Sequence, residues 1–106
     1  MCRNPRELLG EFKTGLQALY GDRLKGVYLY GSYARGDHDD ESDFDVLVVL
    51  DDFGSYAGEI DRTSELVSNL SLQQDVSVSR VFVRQRDWLA GTTPFVVTVR
   101  AEAVAA

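Results

Sequence analysis

Residues 44–50, Phe-Asp-Val-Leu-Val-Val-Leu, constrain the fold more than any other stretch of this chain. A strand presents alternate side chains on opposite faces, and here valine and leucine fall on both. Such a strand has to be central and covered on two sides, which calls for helices above and below a sheet. The segment before it is opposite in character. Six carboxylates lie between Asp37 and Asp45. Taking like charges out of water costs several kcal/mol per ion unless something offsets it. Either these side chains point into solvent or a cation sits among some of them.

The rest of the chain supplies the covering elements. Asn4-Pro5-Arg6-Glu7 reads as a helix start, with Asn4 as cap, Pro5 in the first helical position and Glu7 placed for a capping box. Leu8, Leu9, Phe12, Leu16, Leu19 and Tyr20 then recur at helical spacing, and Gly21 is the expected stop. Val27 and Leu29 alternate with Tyr28 and Tyr30 in a strand that breaks at Gly31. After the central strand, residues 51–55 interrupt the pattern, and Tyr56, Ile60, Thr63, Val67 and Leu70 mark a second amphipathic helix. Asp75–Val83 is β-branched and alternating, a third strand opened by Asp75. The tail carries Thr93 as a cap and Pro94 behind it, against valines that favour strand; helix is the expectation. No repeat, linker or low-complexity tract interrupts residues 1–106, so one domain is expected.

Charge narrows the function. A net charge of −6 and a pI near 4.6 leave no basic stripe to neutralise phosphates, so no direct nucleic-acid partner is expected. The single cysteine, Cys2, rules out an internal disulfide. The longest unbroken apolar run is Val46–Leu50, far short of a membrane span, and the N-terminus has no signal-peptide core. A cytoplasmic protein without a membrane partner is expected.

A strand, a helix and another strand make a crossover unit, so the second and third strands should run parallel and start at the same end of the sheet. Asp43 and Asp45, two apart, share a face, and Asp75 should join them there. The turn at Gly31–Ser32 lies at that same end if the first strand runs antiparallel to the second. Converging carboxylates suit Mg²⁺, which takes hard oxygen ligands and phosphate oxygens. A glycine beside a serine offers backbone N–H groups and a hydroxyl to a phosphate. Together they point to metal-assisted phosphoryl or nucleotidyl transfer. Asp37, Asp39, Asp40 and Glu41 read as a solvated spacer, His38 as incidental and Trp88 as packing. Arg35 reads as a structural partner for a nearby loop carboxylate. A calcium loop fails: with Asp37 in its first position, Ser42 stands where glycine belongs and Val48 where a bidentate glutamate is needed.

Gly31-Ser32, ten residues, then Asp43-Phe44-Asp45 resembles the G-S-x10-D-x-D signature of the DNA polymerase β-like nucleotidyltransferase superfamily. Residues 31–48 are similar to its minimal nucleotidyltransferase (MNT) group, Asp75–Val83 falls where that group carries its third acidic strand, and the likeness extends over residues 8–104. The resemblance implies an α/β (α+β) nucleotidyltransferase fold, a short mixed sheet with flanking helices. It implies transfer of a nucleoside monophosphate, AMP from ATP, to a hydroxyl with two Mg²⁺ ions. Asp43, Asp45 and Asp75 would hold the metals, with Asp75 able to accept the acceptor's proton. Gly31, Ser32 and Arg35 would hold the nucleotide phosphates. Minimal members pair with a helical HEPN toxin, so the resemblance implies an antitoxin that AMPylates its partner. The alternative is a binding module that neutralises the partner by complex formation, with catalysis weak or lost. Homo-oligomerisation stays open.

Overall fold

The computed structural model describes residues 4–106; Cys2 lies outside the described residues. Helix α1 (Pro5–Tyr20) starts as expected, with the Asn4 side chain accepting from the Arg6 N–H at 2.9 Å and Pro5 in the first turn. A single 3₁₀ turn, Gly21–Arg23, leads into β1 (Leu24–Tyr30). Then follow α2 (Ser32–Arg35), β2 (Phe44–Leu50), α3 (Tyr56–Gln74), β3 (Val78–Arg84), α4 (Gln85–Ala90), α5 (Pro94–Glu102) and β4 (Val104–Ala105).

The sheet order is β3-β2-β1-β4, with β2 parallel to β3, and β1 antiparallel to both β2 and β4. The apolar run is therefore central, and its two faces meet different partners. Phe44, Val46, Val48 and Leu50 are fully buried with Leu8, Phe12 and Leu16 of α1 and Val67 and Leu70 of α3. Leu47 and Val49 face the other way, into a smaller core with Val99 of α5, Trp88 of α4, Tyr28, Tyr30, Val81 and Val83. Each fully buried Val or Leu contributes roughly 1.5–3 kcal/mol of transfer free energy. A strand buried on both faces is thus the most costly element to interrupt.

The tail is helical, as expected: Thr93 caps α5, its hydroxyl accepting from the Val96 N–H at 3.3 Å, and Pro94 opens the helix. Local capping outweighs the strand preference of Val96, Val97 and Val99, two of which the helix buries against the sheet. The third strand needs correcting. It begins at Val78 and not at Asp75, because α3 runs on to Gln74 and ends on Asp75 in the left-handed conformation (φ 52°, ψ 49°). The Asp75 N–H closes the last turn onto the Ser71 carbonyl.

Arginines on β3 hold it to the rest of the fold. Arg80 donates to the Ile60 carbonyl at 2.8 Å and to Thr63 Oγ1 at 3.1 Å, fixing β3 under α3. Arg84 pairs with Asp52 at 2.7 Å and donates to the Phe53 carbonyl.

Candidate active site

The antiparallel register sets Tyr30, the last residue of β1, opposite Asp45 near the start of β2. The chain must turn there, and Gly31 does so at φ 77°, ψ −158°, a conformation that essentially only glycine adopts. A second constraint acts on the same residue. A Cβ on Gly31 would collide with Asp45 Oδ2, so the missing side chain is what lets that carboxylate lie against the turn. The one-turn helix α2 follows, closed by Gly36 in the left-handed region. Buried Tyr33 anchors α2, with its ring 5.3 Å from that of Phe44.

Alternation along β2 puts Asp45 on the face of Leu47 and Val49, beneath α5. Asp43 lies just before the strand and is exposed; Asp45 is half-buried. Burial raises the Asp45 pKa above the ordinary carboxylate value; Asp43 raises it further, Arg35 opposes, and Glu102 adds to the rise. The groups whose charges reach Asp45 are thus Asp43, Arg35 and Glu102. Burial, followed by Asp45, also pushes the Tyr30 phenol up to about 12, so this side chain stays protonated at neutral pH.

Glu102, the last residue of α5, is a member that sequence reasoning missed. Its Oε2 accepts from the Gly31 N–H at 2.8 Å and from Arg35 Nη1 at 2.9 Å. Arg35 also reaches Asp37 Oδ2 at 3.2 Å through Nε, so it pairs with a loop carboxylate while standing beside the turn. Nothing near Gly31 in sequence signals a partner 71 residues away.

The spacer behaves as expected. Asp37, Asp39, Asp40 and Glu41 are exposed. Asp39 turns the loop on itself, its Oδ1 accepting from the Glu41 N–H at 2.9 Å and from the Ser42 hydroxyl at 3.2 Å. His38 stacks on Tyr33, with ring centroids 4.0 Å apart, and so packs against the outer side of α2.

Asp75 does not open β3 beside the other two aspartates. It is exposed at the end of α3, where it lines a hollow with Asp40, Glu41, Ser42 and Ser71. The parallel register instead sets Ser79 beside Asp45 and Val81 beside Leu47. Among the described residues no three or more His, Cys, Asp or Glu side chains are grouped to hold a metal ion. The expected convergence of three carboxylates is corrected to a pair, displaced by the extra turn of α3.

That pair still fits a magnesium-bound polyphosphate. Two oxygen-donor side chains two residues apart match the one or two carboxylates Mg²⁺ takes from protein, with phosphate supplying further oxygens. The Asp45 pKa is raised first by burial and then by Asp43, and a cation between the two carboxylates offsets both costs. Beside them, α2 carries the Ser32 hydroxyl at its first residue and the Arg35 guanidinium at its last, both of them donors.

The chain matches the model of the nucleotidyltransferase domain over residues 9–88. It is 35% identical over 79 residues to the "Putative protein adenylyltransferase MJ0141" of Methanocaldococcus jannaschii, covering 74% of this chain and 79% of the relative. MJ0604 of the same organism, named likewise, is 37% identical over 78 residues, covering 74% of this chain and 72% of its own length. Among solved structures, a toxin–antitoxin with AMP-PNP aligns over 92% of this chain and 72% of that one, at TM-score 0.59 and 24% identity. A tri-AMPylated Shewanella oneidensis HEPN toxin in complex with MNT antitoxin aligns over 95% and 70%, at TM-score 0.58 and 19% identity. Both share the mixed α/β fold. The domain match runs from α1 to α4 and takes in the whole β1–β2 corner, so the chain belongs to the nucleotidyltransferase domain family.

Proposed function

We propose that this protein transfers AMP from ATP to a hydroxyl on a partner protein, in the manner of an MNT antitoxin acting on a HEPN-type toxin. One observation carries the reading: the Asp45 carboxylate, next to Asp43, is held against a glycine-serine turn at the end of a sheet. In the reaction the acceptor oxygen bonds to Pα, the Pα–O–Pβ bond breaks, pyrophosphate leaves and the acceptor's proton passes to solvent water. Asp43 and Asp45 would hold Mg²⁺, which supplies charge neutralisation of the polyphosphate when bound. Gly31 and Ser32 give the turn on which the leaving phosphates rest, and Arg35 adds positive charge beside them. The adenylyltransferase names of the relatives support ATP as donor. The toxin–antitoxin structures support a helical protein partner. No helix among the described residues is long and apolar enough to cross a membrane.

A second reading has its own observation. Ser79 and Val81 occupy the face of β3 that adjoins Asp45, so this strand offers no carboxylate to take the acceptor's proton. A chain that binds nucleotide and partner but turns over poorly would neutralise by occupancy. Asp75 keeps a part in the first reading only if it can act from the end of α3.

Incubation with α-labelled ATP, Mg²⁺ and a HEPN-type partner protein separates these. The expected result is label on the partner, lost by roughly 10²-fold or more in Asp43→Asn or Asp45→Asn. Asp75→Asn should stay within a few-fold of wild type; an equal loss would return Asp75 to the metal site. If wild type transfers nothing while Asp43→Asn still neutralises the partner, the second reading stands.

A further inference from the structure

Glu102 sits where a carboxylate is locally unfavourable. It ends α5, and the carbonyl-rich end of a helix repels negative charge. It also brings a further negative charge close to the Asp45 carboxylate. A placement that breaks local rules twice needs a compensating contact. The compensation is visible: one oxygen, Oε2, accepts from the Gly31 N–H at 2.8 Å and from Arg35 Nη1 at 2.9 Å. These two donors bracket α2, one immediately before its first residue and one from its last. A single carboxylate oxygen therefore ties both ends of the turn to α5.

The position of Glu102 is itself fixed from both sides. Before it, α5 is buried through Val96 and Val99. After it, β4 pairs with β1, Val104 opposite Leu29 and Ala105 opposite Tyr28. The C-terminal strand thus runs along the same strand that delivers Gly31, and Glu102 spans the gap between them.

We infer that Glu102 is a positioning residue for the nucleotide. Its carboxylate clasps the Gly31–Arg35 turn through the Gly31 N–H and the Arg35 guanidinium, and holds that turn in the geometry that receives the polyphosphate. The inference rests on the proposed function for its ligand, though not for the clasp. Glu102 acts through Gly31 and Arg35 and does not itself touch the substrate. A charge-assisted hydrogen bond from a backbone N–H is stronger than a neutral one, and sharing it with a guanidinium orients both groups. Without it Gly31 loses its acceptor and Arg35 keeps only the exposed Asp37.

Two readouts test this on the intact protein. In the nucleotide-free state, hydrogen exchange at the Gly31 amide should be slow in wild type and speed up about tenfold or more in Glu102→Ala. Glu102→Gln, which keeps an amide oxygen for Gly31 but no charge for Arg35, should stay near wild type. Titration with Mg²⁺ and a non-hydrolysable ATP analogue should then show Glu102→Ala weakened by about tenfold and Glu102→Gln by less, since a clasp contributes in proportion to what it still holds. Unchanged Gly31 exchange in Glu102→Ala overturns the clasp. Equal or tighter analogue binding in Glu102→Ala overturns the positioning role, tighter binding meaning that the carboxylate competes with phosphate for those donors. Wild type that binds no analogue at all overturns the proposed function and the positioning role together, while the exchange data still decide the clasp.

Discussion

Gly31 carries two demands that no other residue meets together: a backbone conformation closed to L side chains, and a contact in which Asp45 Oδ2 occupies the space of a Cβ. Alanine there costs about 1–3 kcal/mol in backbone strain alone, and it also displaces Asp45. The expected outcome for Gly31→Ala is a folded protein with a lowered melting temperature and at least about tenfold weaker binding of Mg²⁺-ATP, read by calorimetry. Binding at wild-type strength would show that Asp45 does not need its place against the turn. The meeting of Gly31, Ser32, Asp43 and Asp45 at one corner was legible in the sequence because strand alternation and one turn bring them together within fifteen residues. Glu102 was not, since its contact crosses 71 residues and is made by an element whose very type rested on a balance of cap against β-branching. Asp75 was misplaced for a third reason. No glycine or proline ends α3; an aspartate tolerates the left-handed conformation that stops it, and periodicity alone cannot see that boundary.

The elements themselves were legible wherever a cap or a two-faced apolar pattern marked them, as at Asn4, Thr93 and Phe44–Leu50. How they lock together was not. Helices α1 and α3 lie side by side on one face of the sheet, and a buried polar contact crosses their join: the Tyr20 hydroxyl donates to Glu59 Oε1 at 2.7 Å, both residues being buried. Arg62 stands 3.5 Å from the same oxygen, and its guanidinium lies over the Tyr20 ring. Burial first, then the bond to Glu59, raises the Tyr20 pKa well above its ordinary 10.0. Tyr20→Phe leaves Glu59 buried with Arg62 alone and should cost about 1.5–3 kcal/mol. The pH dependence has a definite sign. A phenol whose pKa is raised by folding contributes fully below the unfolded value, and that contribution is lost as pH climbs through the folded one. Stability should therefore fall from about pH 10 upward, with Tyr30, at about 12, adding to the decline. Urea unfolding at pH 8 and above pH 10 should show a shallower alkaline loss in Tyr20→Phe; identical slopes would remove Tyr20 from the account.

At the scale of the whole molecule, an acidic protein is proposed to bind a more acidic ligand. The chain carries 17 acidic against 11 basic side chains, and around the turn Asp43, Asp45 and Glu102 face Arg35. Neither the global field nor the local one attracts a triphosphate, so a cation has to change the sign first. The repulsion between Asp43 and Asp45 is present before any ligand arrives, and it makes the metal-free fold less stable than it would be with neutral side chains there. Two opposite effects follow from one double substitution. Asp43→Asn with Asp45→Asn should melt higher than wild type in chelator, because the repulsion is gone. Wild type alone should then gain from Mg²⁺: at ten times its Kd the ion contributes about 1.4 kcal/mol, on the order of 5–10 °C for a domain of this size. The double variant should not move. Thermal melts of both proteins with and without Mg²⁺ decide it, since a wild type indifferent to Mg²⁺, or a variant that shifts equally, would mean that the ion binds elsewhere than at this pair.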